Sequence, residues 1–178
     1  ILVATSPVVI AGFFGRDYIA VYLRDIEIIA WATIGFGILL WVSDHVGMTV
    51  RRVEHLSLWN ALFIGVAQVL ALIPGTSRSG ITMTAGRFLG LERAEAARFS
   101  LLLSIPTILG AGVLGGLELR ESADIQLGQD VLLAIGLSFV AGLISIAVMM
   151  HWLSRAGFTP FVIYRLLLGG ALLYWIYA

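Results

Sequence analysis

A short polar stretch, PGTSRSGIT from Pro74 to Thr82, interrupts a long apolar part of the chain. It holds four hydroxyl side chains and one arginine, whereas residues 61–73 carry a single polar side chain, Gln68. An arginine in apolar surroundings is costly unless it has a partner, and in membrane segments it marks a functional site. Hydroxyls together with a guanidinium favour a phosphate group as the ligand.

The glycines and the proline of this stretch predict how its backbone runs. Pro74 lacks an N–H and ends an incoming helix, and Gly75 and Gly80 allow a tight turn. We expect a second helix to begin near Gly80, with Ser77 or Ser79 as its cap. The free N–H groups of its first turn would point into the loop, where they favour an anion.

Arg78 offers a planar fork that matches two phosphate oxygens, and Ser77 and Ser79 add hydroxyls. Thr82 is predicted to face the same cavity as Arg78. Gln68 either reaches the loop or bonds across helices, and the sequence leaves both open. The structural alternative is a turn whose hydroxyls satisfy its own backbone and whose Arg78 pairs with a distant carboxylate. Ser77, Arg78 and Thr82 are the residues predicted to take part in chemistry. Phosphate binding is also predicted for five others: Gly75, Thr76, Ser79, Gly80 and Gln68.

The composition is that of an integral membrane protein. Of 178 residues, 60% are hydrophobic and 12% are charged, with a mean hydropathy of +0.99, whereas soluble domains are about 25% charged. The eleven basic residues are all arginines, which excludes a lysine-dependent P-loop. The absence of cysteine excludes disulfides and thiolate sites, and the zero net charge suggests no nucleic-acid role.

Apolar segments predict an all-α polytopic fold within one membrane domain over 1–178. We expect spanning helices at 26–43, 99–119 (kinked at Pro106), 131–153 and 160–178, and part of a further span over 1–15. Residues 16–25 are predicted to form an interfacial turn with a short helix. Residues 44–56, 92–98, 120–130 and 154–159 are predicted to be polar connections.

Residues 57–91 are predicted to form a re-entrant helical hairpin. Its two apolar flanks are each too short to span a bilayer, and a proline and glycines separate them. Arginines concentrate in the connections near 51–52, 93–98 and 155, whereas 120–130 is mostly acidic, so the former are expected in the cytoplasm. This orientation is consistent only if 57–91 enters and leaves on the same side.

Several other residues receive structural interpretations. Arg87 is expected at the cytoplasmic interface, and Arg165 is expected to snorkel to the interface rather than face the cavity. Residues 92–98 read as a solvated turn, and the spaced glycine pairs 86/90 and 112/116 read as helix packing. No histidine and carboxylate have metal-ligand spacing in this sequence.

The polar stretch resembles the P-G-x-S-R-S-x-x-T signature of the bacterial undecaprenyl-diphosphate phosphatases, the bacitracin-resistance family. Three flanking patterns are similar too: G-x-x-Q at 65–68, FSLL at 99–102 followed by Pro106, and FTPF at 158–161 followed by Tyr164 and Arg165. The resemblance covers essentially the whole chain.

The resemblance implies hydrolysis of undecaprenyl diphosphate to undecaprenyl phosphate and inorganic phosphate, which recycles the lipid carrier for cell-wall synthesis. It implies a multi-pass protein of the bacterial inner membrane, built from two inverted repeats and with its site facing outward. By position, Ser77 is the nucleophile or a phosphate ligand, Arg78 the phosphate clamp and Thr82 a hydroxyl contact. It also implies a divalent cation, magnesium or calcium.

The chain departs from the family in one respect, because the E-x-x-x-E motif and the histidine of the first repeat are absent. We therefore interpret the chain as the C-terminal part of the family fold, without most of the first repeat. The general base and the cation ligands are expected in that missing repeat, on the same or a separate polypeptide. The chain alone is predicted to have little or no phosphatase activity.

Two other functions stay open beside the phosphatase. Broken helices also hold anionic groups in transporters, so a carrier or flippase for an anionic prenyl-phosphate lipid is the alternative. A non-catalytic subunit that binds lipid phosphate is the third. The expected partners are a polyprenyl diphosphate, membrane lipids, the missing N-terminal repeat and a second copy in a homodimer.

Overall fold

A computed structural model of the chain describes residues 1–47, 50–122 and 125–178, with side chains outside 16–21, 111 and 114–130. Its regular structure within these ranges is helical, apart from an isolated bridge between Arg51 and Leu91. The α-helices are α1 Leu2–Tyr22, α2 Ile26–Val46, α3 Leu58–Val69, α4 Arg78–Phe88, α5 Arg93–Ser122, α6 Ile125–Leu153 and α7 Thr159–Tyr177. Short 3-10 turns occur at Val53–His55 and Leu70–Leu72. The prediction of an all-α membrane protein is confirmed.

Within the described residues, three helices are long and apolar enough to cross a membrane: Ile26–Val46, Val131–Leu153 and Thr159–Tyr177. They coincide with the spans expected at 26–43, 131–153 and 160–178. The span expected at 99–119 lies in α5, whose side chains are described only in part, and it stays a prediction. So does the inverted-repeat architecture.

Three predicted connections, 16–25, 92–98 and 120–130, are wrong in their bounds. Helix α5 already begins at Arg93, so 92–98 is helical almost throughout. Helix α1 continues to Tyr22 instead of giving way to a turn at 16, and only residues 23–25 separate it from α2. The predicted polar loop over 120–130 is helical up to Ser122 and again from Ile125. Hydropathy marks where a helix would leave the bilayer, but intrinsic helix propensity lets the same helix continue into water. The side chains of the acidic residues predicted there lie outside the described residues.

Helices α3 and α4 form two half-length helices within 57–91. They have 12 and 11 residues, about 18 and 16 Å against a hydrocarbon core of about 30 Å. Ser57 caps α3, because its hydroxyl accepts a hydrogen bond from the Asn60 N–H at 3.2 Å. At the other end, Gly90 O accepts from Arg51 N at 3.0 Å, so the chain returns to the place where the segment began. Two short helices that return to their starting point are what a hairpin requires, and its re-entrant placement in a membrane stays a prediction.

Asp44, near the end of α2, connects three other parts of the fold. Its carboxylate accepts hydrogen bonds from Arg93 Nε at 2.7 Å and from the backbone N–H of Phe158 at 3.2 Å. Arg87 Nε lies 3.3 Å from the same carboxylate as an ion pair. The ends of α2 and α4 and the starts of α5 and α7 are thereby joined around one buried negative charge.

Arg87 is buried within the protein, with 1% of its surface exposed, and its expected place at the cytoplasmic interface stays a prediction. Besides pairing with Asp44, it donates to three backbone oxygens, those of Asp44, Gly47 and Leu91. The expected solvated turn at 92–98 is also partly packed, since Glu95 accepts from the Val53 N–H at 2.9 Å. A buried charge requires partners of this kind. Two of the oxygens that accept from Arg87, those of Asp44 and Gly47, lie 40 or more residues earlier in the chain.

Replacing Asp44 by asparagine is expected to lower the free energy of unfolding by about 3 kcal/mol, because Arg87 would stay buried without a counter-charge. The measurement is unfolding of the purified chain in maltoside micelles with increasing dodecyl sulfate. Glu54→Gln is the matched control, because it removes an exposed carboxylate. Equal stability of the two variants would contradict the assignment.

Candidate functional site

The polar stretch forms the turn between the two half-length helices and the first turn of α4. Of the two predicted caps, Ser77 and Ser79, it is Ser77 that caps α4. Its hydroxyl accepts a hydrogen bond from the Gly80 N–H at 3.3 Å. The Ser77 backbone has φ of +67°, which is uncommon for a residue other than glycine. Such conformations cost about 1–3 kcal/mol and concentrate at functional sites.

Gly75 occupies a position that no larger residue fits. Its φ is +91°, and an added Cβ would lie 2.4 Å from the backbone oxygen of Ile29 on α2. The turn therefore packs directly on the α2 backbone. The Gly75 carbonyl also faces α2, where the Thr33 hydroxyl lies 3.3 Å away.

Arg165 of α7 holds the turn against α2. Its Nη2 donates to Gly75 O at 2.6 Å, and its Nε donates to Thr33 O at 3.1 Å. The expectation that Arg165 snorkels to the interface is wrong, because it is 9% exposed and faces the turn. Gly37 of α2 makes room for it, since a Cβ there would approach the Arg165 Cβ to 3.2 Å.

A cavity of about 520 Å³ opens beside the turn, between α2, α4, α6 and α7. Its polar end is formed by Thr33, Gly75, Ser77, Ser79, Gly80 and Arg165. The other residues lining it are mostly aliphatic, aromatic and methionine side chains, together with Tyr164. An amphiphilic molecule with an anionic head fits this division, because the head would meet the guanidinium and hydroxyls and the tail the apolar wall.

Arg78 and Thr82 lie on a different side of α4, facing α5. Arg78 Nη1 donates to the Thr107 hydroxyl at 2.7 Å, and the Thr82 hydroxyl lies 2.8 Å from Ser100 Oγ. The two residues thus share a face of α4, but neither lines the 520 Å³ cavity, and the prediction that both face one cavity stays a prediction. Their catalytic roles stay predictions.

The side chains of Gln68 and Thr76 are buried and polar, and have no hydrogen-bond partner among the residues that the structure describes. Both are 0% exposed, and neither the Gln68 amide nor the Thr76 hydroxyl makes a hydrogen bond with the residues described. Gln68 therefore shows neither of the contacts expected for it, and phosphate binding by these two residues stays a prediction. Unpaired buried polar groups destabilise a fold unless water or a ligand satisfies them.

The polar end of the cavity carries hydroxyls and a guanidinium, but the described residues give it no carboxylate or imidazole that could accept a proton. The described residues that line the cavity include no carboxylate and no histidine. Among the residues the structure describes, no three histidine, cysteine or carboxylate side chains are placed to bind a metal ion. The divalent cation implied by the resemblance therefore has no ligand set among the described residues.

Sequence reasoning missed three contributors to the site: Thr33, Thr107 and the inward orientation of Arg165. Thr33 and Thr107 lie inside apolar helices, where a lone threonine carries no motif. One available signal for Arg165 was Gly37, a small residue on the helix that faces it.

Comparison with known proteins adds a family assignment. The family described as "Bacitracin resistance protein BacA" matches residues 1–171. The undecaprenyl-diphosphatase of Alteromonas mediterranea is 48% identical over 178 residues, which cover 100% of this chain and 67% of the relative. Undecaprenyl-diphosphatase 1 of Rhodospirillum rubrum is 54% identical over 145 residues, 82% of this chain and 51% of the relative. The undecaprenyl-diphosphatase of Roseobacter denitrificans is 43% identical over 182 residues, which cover 100% of this chain and 67% of the relative.

The chain thus spans at most about two thirds of the length of these curated relatives.

Proposed function

The chain belongs to the bacitracin resistance protein BacA family, and from that premise we propose that it acts in hydrolysis of undecaprenyl diphosphate. The products are undecaprenyl phosphate and inorganic phosphate, with water cleaving the bond between the two phosphoryl groups. The names of the relatives support this activity. They do not favour the carrier or flippase alternative.

The observation that carries the proposal is the division of the cavity into a polar and an apolar end. Ser77, Ser79 and Arg165 meet at the polar end, next to the first turn of α4. The apolar wall continues along α6 and α7, where Met149, Leu153 and Leu168 line it. A diphosphate joined to a prenyl chain has the same division.

The residues of this chain supply binding and orientation. The first turn of α4 directs N–H groups and a positive dipole end toward a phosphoryl group. The Ser77 hydroxyl is the proposed nucleophile or phosphate ligand, and Arg78 is the proposed clamp, with Thr82 as a hydroxyl contact. Arg165 keeps the turn in place through Gly75 and adds positive charge at the same end.

Proton transfer needs a general base, and the described residues that line the cavity include no carboxylate or histidine for that role. We propose that the general base and the ligands of a divalent cation lie in the part of the family's length that this chain does not span. This missing part is proposed to lie on the same polypeptide or on a separate one. A homodimer of the chain is also proposed. When bound, the cation would supply electrostatic stabilisation of phosphate charge.

We place the protein in the bacterial inner membrane as a multi-pass protein. The three apolar helices support membrane insertion. The arginine-rich ends near Arg51, Arg93 and Arg155 would face the cytoplasm by the positive-inside rule. The turn at Gly75 would then lie inside the membrane and open outward.

The test uses a chimera in which this chain replaces the matching residues of the Alteromonas mediterranea relative. The chimera in nanodiscs is expected to release phosphate from farnesyl diphosphate, a short prenyl diphosphate. The chain alone should release less than about 1% of that amount, because a missing general base removes at least about a hundredfold. The unmodified relative is the matched control.

A chimera that releases no phosphate would contradict the proposed function. If that chimera instead moved prenyl phosphate across vesicle membranes, the carrier alternative would replace it. Turnover by the chain alone at the chimera's rate would show that the acid/base group lies within these 178 residues.

A further inference from the structure

Arg78 is held from outside the polar stretch, by a residue of α5. Its Nη1 donates to Thr107 Oγ1 at 2.7 Å, and the guanidinium makes no other hydrogen bond with the described residues. Arginine has five N–H donors in a rigid plane, so one bond of this kind restricts the plane and leaves most donors available. The half-buried side chain therefore has one fixed point 29 residues away along the chain.

Thr107 is itself fixed within α5. Its hydroxyl lies 2.8 Å from Ser104 O, one turn back along the helix. Thr107 comes directly after Pro106 in α5. A hydroxyl has one hydrogen to donate and two lone pairs that accept. The Thr107 hydrogen goes to Ser104 O, which leaves its oxygen free to accept from Arg78.

A second contact repeats this arrangement two turns away along α5. The Thr82 hydroxyl lies 2.8 Å from Ser100 Oγ, and both residues are buried. Arg78 and Thr82 are one turn apart on α4, and Ser100 and Thr107 are two turns apart on α5. The hydroxyls of α5 therefore face the side of α4 that carries Arg78, and two contacts fix how the helices face each other.

We propose that Thr107 is a positioning residue that sets the orientation of the Arg78 guanidinium for a phosphate group. The proposal rests on the proposed function, in which Arg78 binds a phosphoryl group. A planar fork binds two oxygens only in the correct orientation, so a fixed plane reduces the entropy lost on binding. Thr107 does not itself touch the substrate.

The first test does not use hydrolysis. The purified chain is treated with phenylglyoxal, which modifies free guanidinium groups, and the modification of each arginine is measured by peptide mass spectrometry. Thr107→Val keeps the side-chain shape but removes the hydroxyl, and is expected to speed modification of Arg78 about tenfold. Thr107→Ser keeps the hydroxyl and should restore the slow rate, while exposed Arg155 serves as the internal control in every variant.

The second test measures phosphate release by the chimera. Thr107→Val is expected to lower kcat/KM for farnesyl diphosphate about tenfold, and Thr107→Ser is expected to recover most of it. An unchanged Arg78 modification rate in the valine variant overturns the proposal. Equal losses in the valine and serine variants overturn it too, since they would indicate packing and not the hydroxyl.

The two proposals can fail separately. A wild-type chimera without phosphate release contradicts the proposed function, whereas the modification rates still decide whether Thr107 holds Arg78. If the chimera hydrolyses farnesyl diphosphate and Thr107→Val leaves its kcat/KM unchanged, only the role of Thr107 is contradicted.

Discussion

Phosphate release by the chimera is expected to fall about a thousandfold when Arg78 is replaced by alanine. In the proposed reaction, charge develops on the transferred phosphoryl group, and a planar guanidinium stabilises it with two parallel hydrogen bonds. Alanine removes both the charge and the fork. The measurement is the initial rate of phosphate release from farnesyl diphosphate at saturating substrate.

Two further variants decide what the loss means. Arg78→Lys keeps the charge but loses the planar fork, so it should recover a small part of the rate. Arg155→Ala is the matched control, because Arg155 is exposed and lies in the connection before α7. If Arg78→Ala retained the activity of this control, Arg78 would not be the phosphate clamp.

The second large effect is expected at Arg165. Arg165→Met keeps an unbranched side chain but removes the hydrogen bonds to Thr33 O and Gly75 O. The turn would lose its hydrogen bond to α7 and keep only its direct contacts with α2. A displacement of about 1 Å at a site of this kind lowers rates about a hundredfold. Phosphate release by the chimera measures this loss.

Amide hydrogen exchange separates a displaced turn from a lost substrate contact. In Arg165→Met, residues 73–77 should exchange faster than in the wild type, because the Gly75 carbonyl loses its strongest anchor. Arg155→Met is the control for the change of residue type. Unchanged exchange together with lost activity would mean that Arg165 acts on substrate and not on the turn.

The sequence predicted the polar turn well because its conformation depends on local residues. Pro74 and Gly75 restrict the backbone wherever they occur, and Ser77 caps the helix that follows it. Apolar helices were predicted equally well at 26–43, 131–153 and 160–178, because length and hydropathy are read directly from the sequence. The ends of α1, α5 and α6 were predicted less well, because hydropathy does not detect where a helix stops in water.

The directions of the charged side chains could not be predicted in the same way. No pattern in the sequence pairs Arg87 with Asp44, 43 residues earlier, beside which it lies buried. Arg165 was expected to reach the interface, yet it contacts a turn 90 residues earlier. Both depend on how one helix is rotated against another.

The sequence by itself determined that this is a helical membrane protein with a polar turn between two short helices. Only the tertiary structure decided that Arg165 and Thr33 secure that turn, and that Arg78 rests on Thr107. The physical reason is that apolar helices such as α6 show no polar face that would reveal their rotation. Close packing at Gly37 and Gly75 sets the rotation instead. The sequence alone does not show which residue packs against a given glycine.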